Sequence, residues 1–386
     1  MRPPTRLLDS GAMETISLAR GVPAPECIPV EELADCARAA LLTDGATALS
    51  YGSPAGYLPL REWIAERHEV SSDRVVVTNG SLQGFVFLAQ LLAAGGERVL
   101  VEAPTYDRPL KILDALGADV GAIPQNEEGI DLHALEHELR VGPKPAFLYV
   151  IPTFQNPSGR TLGADGRRHL AQLAADHELL VLEDDPYGLV RFEGVAPPTL
   201  HELEGGDRVV YSSSFSKTVA PGVRVGYLVL PSQLAAEVEA LATSTYISPA
   251  LLSQATVYEF LRRGALERNL ALVRSLLRAR RDALVEALTR HFAGTGTRWN
   301  RPEGGYFLWL ELPGGIDSSR LLELAIAAGV SFVPGPDFFP RGGGGRSAAR
   351  LAFSFASPAQ LADAAARLAS VLSTAPAVEL RQQHAA

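Results

Sequence analysis

Between residues 75 and 211, short apolar runs alternate with segments of helical period, and that alternation constrains the fold more than any other feature of the chain. Residues 75–78, 98–102, 120–123, 146–151, 179–183 and 208–211 are brief apolar runs that read as strands. Residues 81–94, 108–116, 132–139 and 164–175 repeat their apolar positions every three or four residues and read as helices. This rhythm predicts an α/β fold built on a mostly parallel sheet, mixed where residues 224–230 add a further strand, with helices on both faces. Ahead of it, a helix is expected over 30–42, closed by Asp44-Gly45, and another over 58–68. Behind it, residues 248–291 read as largely helical, with one long helix from Glu267 onward. Strands at 305–312, 331–334 and 349–355 with helices at 318–328 and 359–372 predict a smaller α+β domain. The expected division is an N-terminal segment 1–25 that packs with the small domain, a large domain 26–275 and the small domain 276–386.

Composition narrows the function. The chain has 386 residues, 47% of them hydrophobic and 20% charged, an ordinary globular balance that allows a sizeable core. Its formal charge of -9 argues against a nucleic-acid partner held by phosphate neutralisation. Cys27 and Cys36 have no metal-binding spacing and form no disulfide framework, so no metal is expected and a reducing, cytoplasmic compartment fits. No apolar run is long enough to span a bilayer, and no leader peptide is read at the start.

Chemistry gathers where predicted strands end. The run at 208–211 leads into Ser212-Ser213-Ser214-Phe215-Ser216-Lys217, with Arg224 one short loop on. An amine that condenses with an aldehyde must lose its proton near neutral pH, which burial and a nearby cation both favour. Ser214, Ser216 and Arg224 suit a phosphate, as does the helix start at Gly80-Ser81, whose free N–H groups can face an anion. Read alone, the same stretch also describes a solvated serine-rich loop. Asn156 follows the run at 146–151, and Glu183-Asp184-Asp185-Pro186-Tyr187 closes the run at 179–183. In a parallel sheet these ends share one edge, so Asn156, Asp184 and Lys217 can meet in one crevice. A carboxylate there can pair with a protonated ring nitrogen. Arg350, at the start of a strand, is either a surface residue or a fork for a carboxylate.

Together these motifs resemble the fold-type I pyridoxal-phosphate aminotransferases of class I and II, from about Ile16 to about Leu372, most nearly the aminoadipate/kynurenine-type enzymes. Ser214-Phe215-Ser216-Lys217 with Gly222-Val223-Arg224-Val225-Gly226 is similar to that family's lysine motif, Gln155-Asn156-Pro157-Ser158-Gly159 to its asparagine loop, and Arg350-Leu351-Ala352-Phe353-Ser354 to its carboxylate-binding strand. The resemblance implies pyridoxal 5'-phosphate as a Schiff base on Lys217, with Asp184 on the pyridine nitrogen, Tyr187 and Asn156 on the phenolic oxygen and Tyr106 stacked on the ring. It assigns the phosphate to Gly80, Ser81, Leu82, Ser214, Ser216 and Arg224, joined by Tyr51 from the other subunit of a homodimer. Arg350, Asn156 and Gly21 would bind substrate, an L-amino acid that gives its nitrogen to a 2-oxo acid, commonly 2-oxoglutarate. Leu82 stands where relatives carry glutamine, and Arg20 replaces a glycine, either as a side-chain carboxylate receptor or as a solvated loop residue. A lyase, decarboxylase or oxidase on the same scaffold is the alternative, then a cofactor-binding regulatory domain. Against the regulator stand the acidic balance and a match that begins close to the N-terminus.

Overall fold

The computed structural model describes residues 15–383, so residues 1–14 of the expected N-terminal segment lie outside the described residues. The chain begins in β1 (Ile16–Ser17), followed by helices α1 (Val30–Ala48) and α2 (Leu58–Arg67). Strand and helix then alternate through β2 (Val75–Thr78), α3 (Ser81–Ala93), β3 (Arg98–Ala103), α4 (Asp107–Leu116), β4 (Asp119–Asn126), β5 (Gly129–Ile130) and α5 (Leu132–Val141). The run continues with β6 (Phe147–Val150), α6 (Ala164–Asp176), β7 (Val181–Asp184), α7 (Leu200–Glu204), β8 (Val209–Ser214) and β9 (Gly226–Val229). Three helices follow, α8 (Ser232–Tyr246), α9 (Leu251–Arg262) and α10 (Ala265–His291). The last part holds β10 (Arg298–Trp299), β11 (Phe307–Glu311), α11 (Ser318–Ala327), β12 (Val330–Ser331), β13 (Val333–Pro334), β14 (Ala348–Ala352) and α12 (Pro358–Gln383).

Eight strands form one sheet in the order β2-β9-β8-β7-β6-β3-β4-β5. Pairing is parallel from β8 through β7, β6 and β3 to β4, and antiparallel where β9 joins β8 and β2 and where β5 joins β4. Successive residues of a strand point to opposite faces, and both faces here are covered. Val99, Val101, Phe147 and Tyr149 pack with Phe85, Leu88, Leu110, Leu113 and Val238 of α3, α4 and α8. Leu100, Leu148 and Val150 pack instead with Leu135, Leu170 and Leu173 of α5 and α6. The sheet is therefore mostly parallel, mixed, and flanked by helices on both sides, as the alternation predicted.

Four further strands form the antiparallel sheet β10-β11-β14-β13, and β1 pairs in parallel with β12. Residues 331–334, expected as one strand, divide: Ser331 pairs with Ser17 and Val333 with Arg350, so the chain changes sheets at the buried Phe332. Helix α1 does not close at Asp44-Gly45. It bends at Asp44, whose φ and ψ of -142° and 37° leave the helical region, and resumes to Ala48. Strand β8 continues past Tyr211 through three serines because Ser212 pairs with Asp184 on one side and Leu228 on the other. Strand β9 starts later than expected, at Gly226, since Arg224 takes a left-handed conformation with φ of 52°.

Among the described residues no helix is long and apolar enough to cross a membrane, and no group of His, Cys, Asp and Glu could hold a metal ion.

Candidate active site

The carboxyl ends of β2, β3, β6, β7 and β8 lie along one edge of the large sheet, and antiparallel β9 brings its amino end there: Gly226 sits between Thr78 and Ser214. A cavity of about 460 Å³ opens at this edge. The residues the resemblance assigns to cofactor and substrate line it except Tyr51, and Arg20 does not line it either. Phe307 on β11 and Arg350 on β14 also line it, so the second sheet helps to close the crevice.

One end of the cavity is built for an anion. Helix α3 begins there at Gly80, whose φ of 84° lets the chain turn from β2 into the helix. A side chain at Gly80 would collide with the Arg224 guanidinium, and one at Gly226 with the backbone of Gly80 and Ser81. Both glycines thus keep the helix start and the arginine in close contact. Arg224 donates to the Asn79 carbonyl at 2.9 Å and to the Pro221 carbonyl at 3.3 Å. Ser214 Oγ lies 2.9 Å from Ser216 Oγ and accepts from the Ser216 N–H at 3.2 Å. A helix amino end, two hydroxyls and a guanidinium converge on one point, the donor set a phosphate dianion requires.

The other end presents an acid. Asp184 closes β7 and is buried; its Oδ2 accepts from the Tyr149 hydroxyl at 2.8 Å, while its Oδ1 is buried without a partner. Burial raises its pKa to about 6. A carboxylate oxygen left dry and unpaired is costly, and a cationic N–H facing it would remove that cost. Tyr106, at the head of α4, and the buried Tyr187 flank this end.

Between the two lies Lys217, three residues beyond β8. Its Nζ donates to the Gly21 carbonyl at 2.8 Å. Burial lowers its pKa to about 8, with the charges of Arg350 and Arg224 acting in the same direction. The carbonyl of Lys217 accepts from the Tyr306 hydroxyl at 3.2 Å. Arg350 donates from Nη1 to Asn156 Oδ1 at 2.9 Å and from Nη2 to the Ala19 carbonyl at 2.8 Å. Its guanidinium lies 4.3 Å from the centre of the Phe307 ring and 5.0 Å from that of Phe338. A planar cation held at its rim and packed on two rings is oriented before any ligand arrives.

Three residues stand apart. Tyr51 is 84% exposed and does not reach this chain's own cavity. Asp185 turns away from it, accepting from the Tyr211 hydroxyl at 3.0 Å and the Gly188 N–H at 2.8 Å. Arg20 is exposed and stacks on Phe355 at 4.2 Å, outside the cavity wall. Sequence reasoning missed Tyr149, Tyr306 and Phe307. Only the adjacent aromatic pair Tyr306-Phe307 at a strand start was a usable signal, whereas Tyr149 lies in a strand with no exposed position.

The sequence profile of the family described as aminotransferase class I and II matches residues 15–368. A 2-aminoadipate transaminase of Thermus thermophilus is 37% identical over 361 residues, covering 92% of this chain and 90% of that protein. An aromatic-amino-acid aminotransferase of Thermococcus litoralis is 33% identical over 369 residues, with 93% and 88% covered. Among solved structures, an alpha-aminoadipate aminotransferase of Thermus thermophilus complexed with N-(5'-phosphopyridoxyl)-L-leucine superposes with a TM-score of 0.89 at 35% identity, covering 94% of this chain and 93% of that one.

Proposed function

The chain belongs to the class I and II aminotransferases, and from that membership we propose that its cavity passes the amino group of an L-amino acid to a 2-oxo acid with Lys217 as the covalent anchor of pyridoxal 5'-phosphate. One observation carries the reading: the half-buried Lys217 amine, just past one strand, and the unpartnered Asp184 Oδ1, at the end of the strand paired with it, face the same cavity beside a cluster of donors suited to a phosphate. The residues fit the cofactor. Gly80, Ser81, Leu82, Ser214, Ser216 and Arg224 would hold its phosphate, Asp184 its ring nitrogen, Asn156 and Tyr187 its phenolic oxygen and Tyr106 its ring face. When bound, the cofactor supplies an aldehyde carbon and an electron-withdrawing ring.

The protein's own groups do the rest. With its pKa near 8, Lys217 is neutral in about one molecule in ten at pH 7, against roughly one in several thousand for an unperturbed lysine. Released by an incoming amine, the same Nζ can take the substrate Cα proton and return it on the other side of the reaction, as a positioned base of near-neutral pKa does. Arg350 would hold the substrate carboxylate, and the fixed guanidinium plane sets which Cα bond faces the ring. Gly21 offers its carbonyl at the same place. The acceptor is proposed to be 2-oxoglutarate, and 2-aminoadipate and aromatic amino acids, the donors named for relatives, are the first donors to try.

Borohydride reduction of the yellow protein should fix the cofactor on a single peptide containing Lys217. Recovery of the adduct on Lys111 or Lys144, both on the exterior, would overturn the assignment.

We further propose a homodimer in which Tyr51 serves the partner's phosphate site, since an exposed tyrosine beside exposed Leu49 and Ile247 suits an interface. Mixing inactive Lys217→Ala protein with an inactive Tyr51→Ala variant should restore part of the activity, because a mixed dimer contains one intact site. No recovery after verified subunit exchange would count against a shared site. The free, buried Cys27 and Cys36 are consistent with a cytoplasmic protein. A division into 1–25, 26–275 and 276–386 is supported by the position of α10 between the two larger sheets and by the pairing of β1 with β12.

A further inference from the structure

We propose that Tyr149 is a positioning residue for Asp184: its hydroxyl holds one carboxylate oxygen so that the other faces the ring-nitrogen end of the cavity as an anion. The proposal rests on the reading of Asp184 given above. Tyr149 lies on β6 directly opposite Leu182 of β7, so Asp184, two residues further along, is its diagonal neighbour on the same face of the sheet. A long aromatic side chain spans that diagonal. The ring is 1% exposed and meets Phe85 of α3 edge-on, with centroids 5.1 Å apart. A phenol so enclosed must find an acceptor inside the protein, and Asp184 Oδ2 at 2.8 Å is that acceptor.

Two consequences follow for the carboxylate. Fixing Oδ2 fixes the plane of the group, which leaves Oδ1 as the oxygen available to a ligand; it is the one without a partner. A donor to the charged form also opposes the effect of burial. Burial is the largest influence on Asp184 and raises its pKa; the Tyr149 hydrogen bond is the largest of those that lower it, ahead of Ser212. The titratable groups facing Asp184 are Tyr149 from β6, Asp185 beside it on β7, Tyr106 at the head of α4 and Tyr187 just past the strand. None of these is a cation. Tyr149 is thus the group among them that favours the ionised acid.

The test uses the full-length protein freed of cofactor. Pyridoxal 5'-phosphate is titrated into the parent, Tyr149→Phe and Asp184→Asn from about pH 5 to about pH 9, a range that brackets a buried carboxyl group. The cofactor's own ionisations are common to all three, so the Asp184→Asn profile isolates the acid limb due to Asp184. Loss of a hydrogen bond to a charged group should move that limb upward by roughly one to two pH units in Tyr149→Phe. Site-specific fluorotyrosine at position 149, a stronger donor, should move it downward. A limb that stays in place in both proteins overturns the proposal and leaves the role of Asp184 standing. A parent profile identical to that of Asp184→Asn overturns the reading of Asp184 itself, and the proposal with it.

Discussion

Replacing Asp184 with asparagine is expected to slow proton removal from the substrate Cα by several orders of magnitude, each factor of ten corresponding to about 1.4 kcal/mol of barrier. A neutral amide at Oδ1 cannot keep the facing ring nitrogen protonated, and an uncharged ring draws electrons poorly. Cofactor should still bind, because the donors proposed for its phosphate, at Gly80, Ser214, Ser216 and Arg224, are separate from Asp184 in the cavity wall. The same substitution should stabilise the cofactor-free protein. Burial raises the folded-state pKa of Asp184 to about 6 from an unfolded value of 3.8, so the folded chain binds more protons than the unfolded chain in that window. Stability from this group therefore falls as pH rises from about 4 to about 6, by up to about 3 kcal/mol, and stays low above it. Asparagine carries no charge to bury. Thermal melts of the cofactor-free proteins should place Asp184→Asn above the parent at about pH 8 and level with it near pH 4. A larger rate loss in Asp185→Asn than in Asp184→Asn would transfer the role to the neighbour, against the hydrogen bonds that turn Asp185 toward Tyr211 and Gly188.

The second large effect concerns stability away from the cavity. Arg167 on α6 is 1% exposed and gathers the loop that carries Asn156: it donates to the Pro152 and Leu162 carbonyls and to Thr153 Oγ1, at 2.9, 2.8 and 2.7 Å. It also pairs with Glu183 at 3.4 Å, the residue before Asp184, whose carboxylate accepts from the Leu200 and His201 N–H groups. Burial raises Glu183 to about 7 against the pull of Arg167. Arg167→Met leaves that acid and four acceptors, the Pro198 carbonyl at 3.3 Å being the fourth, without their cation, a loss of about 3 to 5 kcal/mol for breaking one side of a buried pair. Denaturant midpoints at fixed protein concentration measure it. Adding Glu183→Gln to Arg167→Met should recover part of the loss, since the two residues touch. A stability loss in Arg167→Met below about 1 kcal/mol, taken from the midpoint shift and the denaturant slope, would mean that water or neighbouring groups replace the guanidinium.

What could be read from the chain alone follows from where each signal resides. The large sheet was legible because strands such as Val75–Thr78 and Phe147–Val150 are buried on both faces and appear as unbroken apolar runs between helical periods. Lys217, Asp184, Asn156 and Arg350 were legible because each stands in a short local motif just before or after a strand end. Helix α8 was not: its buried positions include Ala235 and Ala242, whose small side chains give little amphipathic contrast. Residues 331–334 read as one strand because two-residue strands are too short to show a period. The serines ending β8 look like turn formers, yet pairing on both sides keeps them in the sheet. Tyr149 stayed hidden because its partner lies 35 residues away and across a strand boundary. The place of Arg20, stacked on Phe355 rather than lining the cavity, is a matter of tertiary packing that its own neighbours in sequence do not encode.

In the proposed reaction, nitrogen taken from the donor stays in the site until an oxo acid removes it, and Arg350 would hold the substrate carboxylate throughout. The most direct measurement gives the cofactor-loaded protein a reactive L-amino acid in the absence of both oxo acid and oxygen, and counts the 2-oxo acid released. A transaminase releases one equivalent per site and stops, then resumes when 2-oxoglutarate is added. A lyase or decarboxylase restores its starting state in every cycle and needs no acceptor. Repeated turnover under those conditions would therefore contradict transamination.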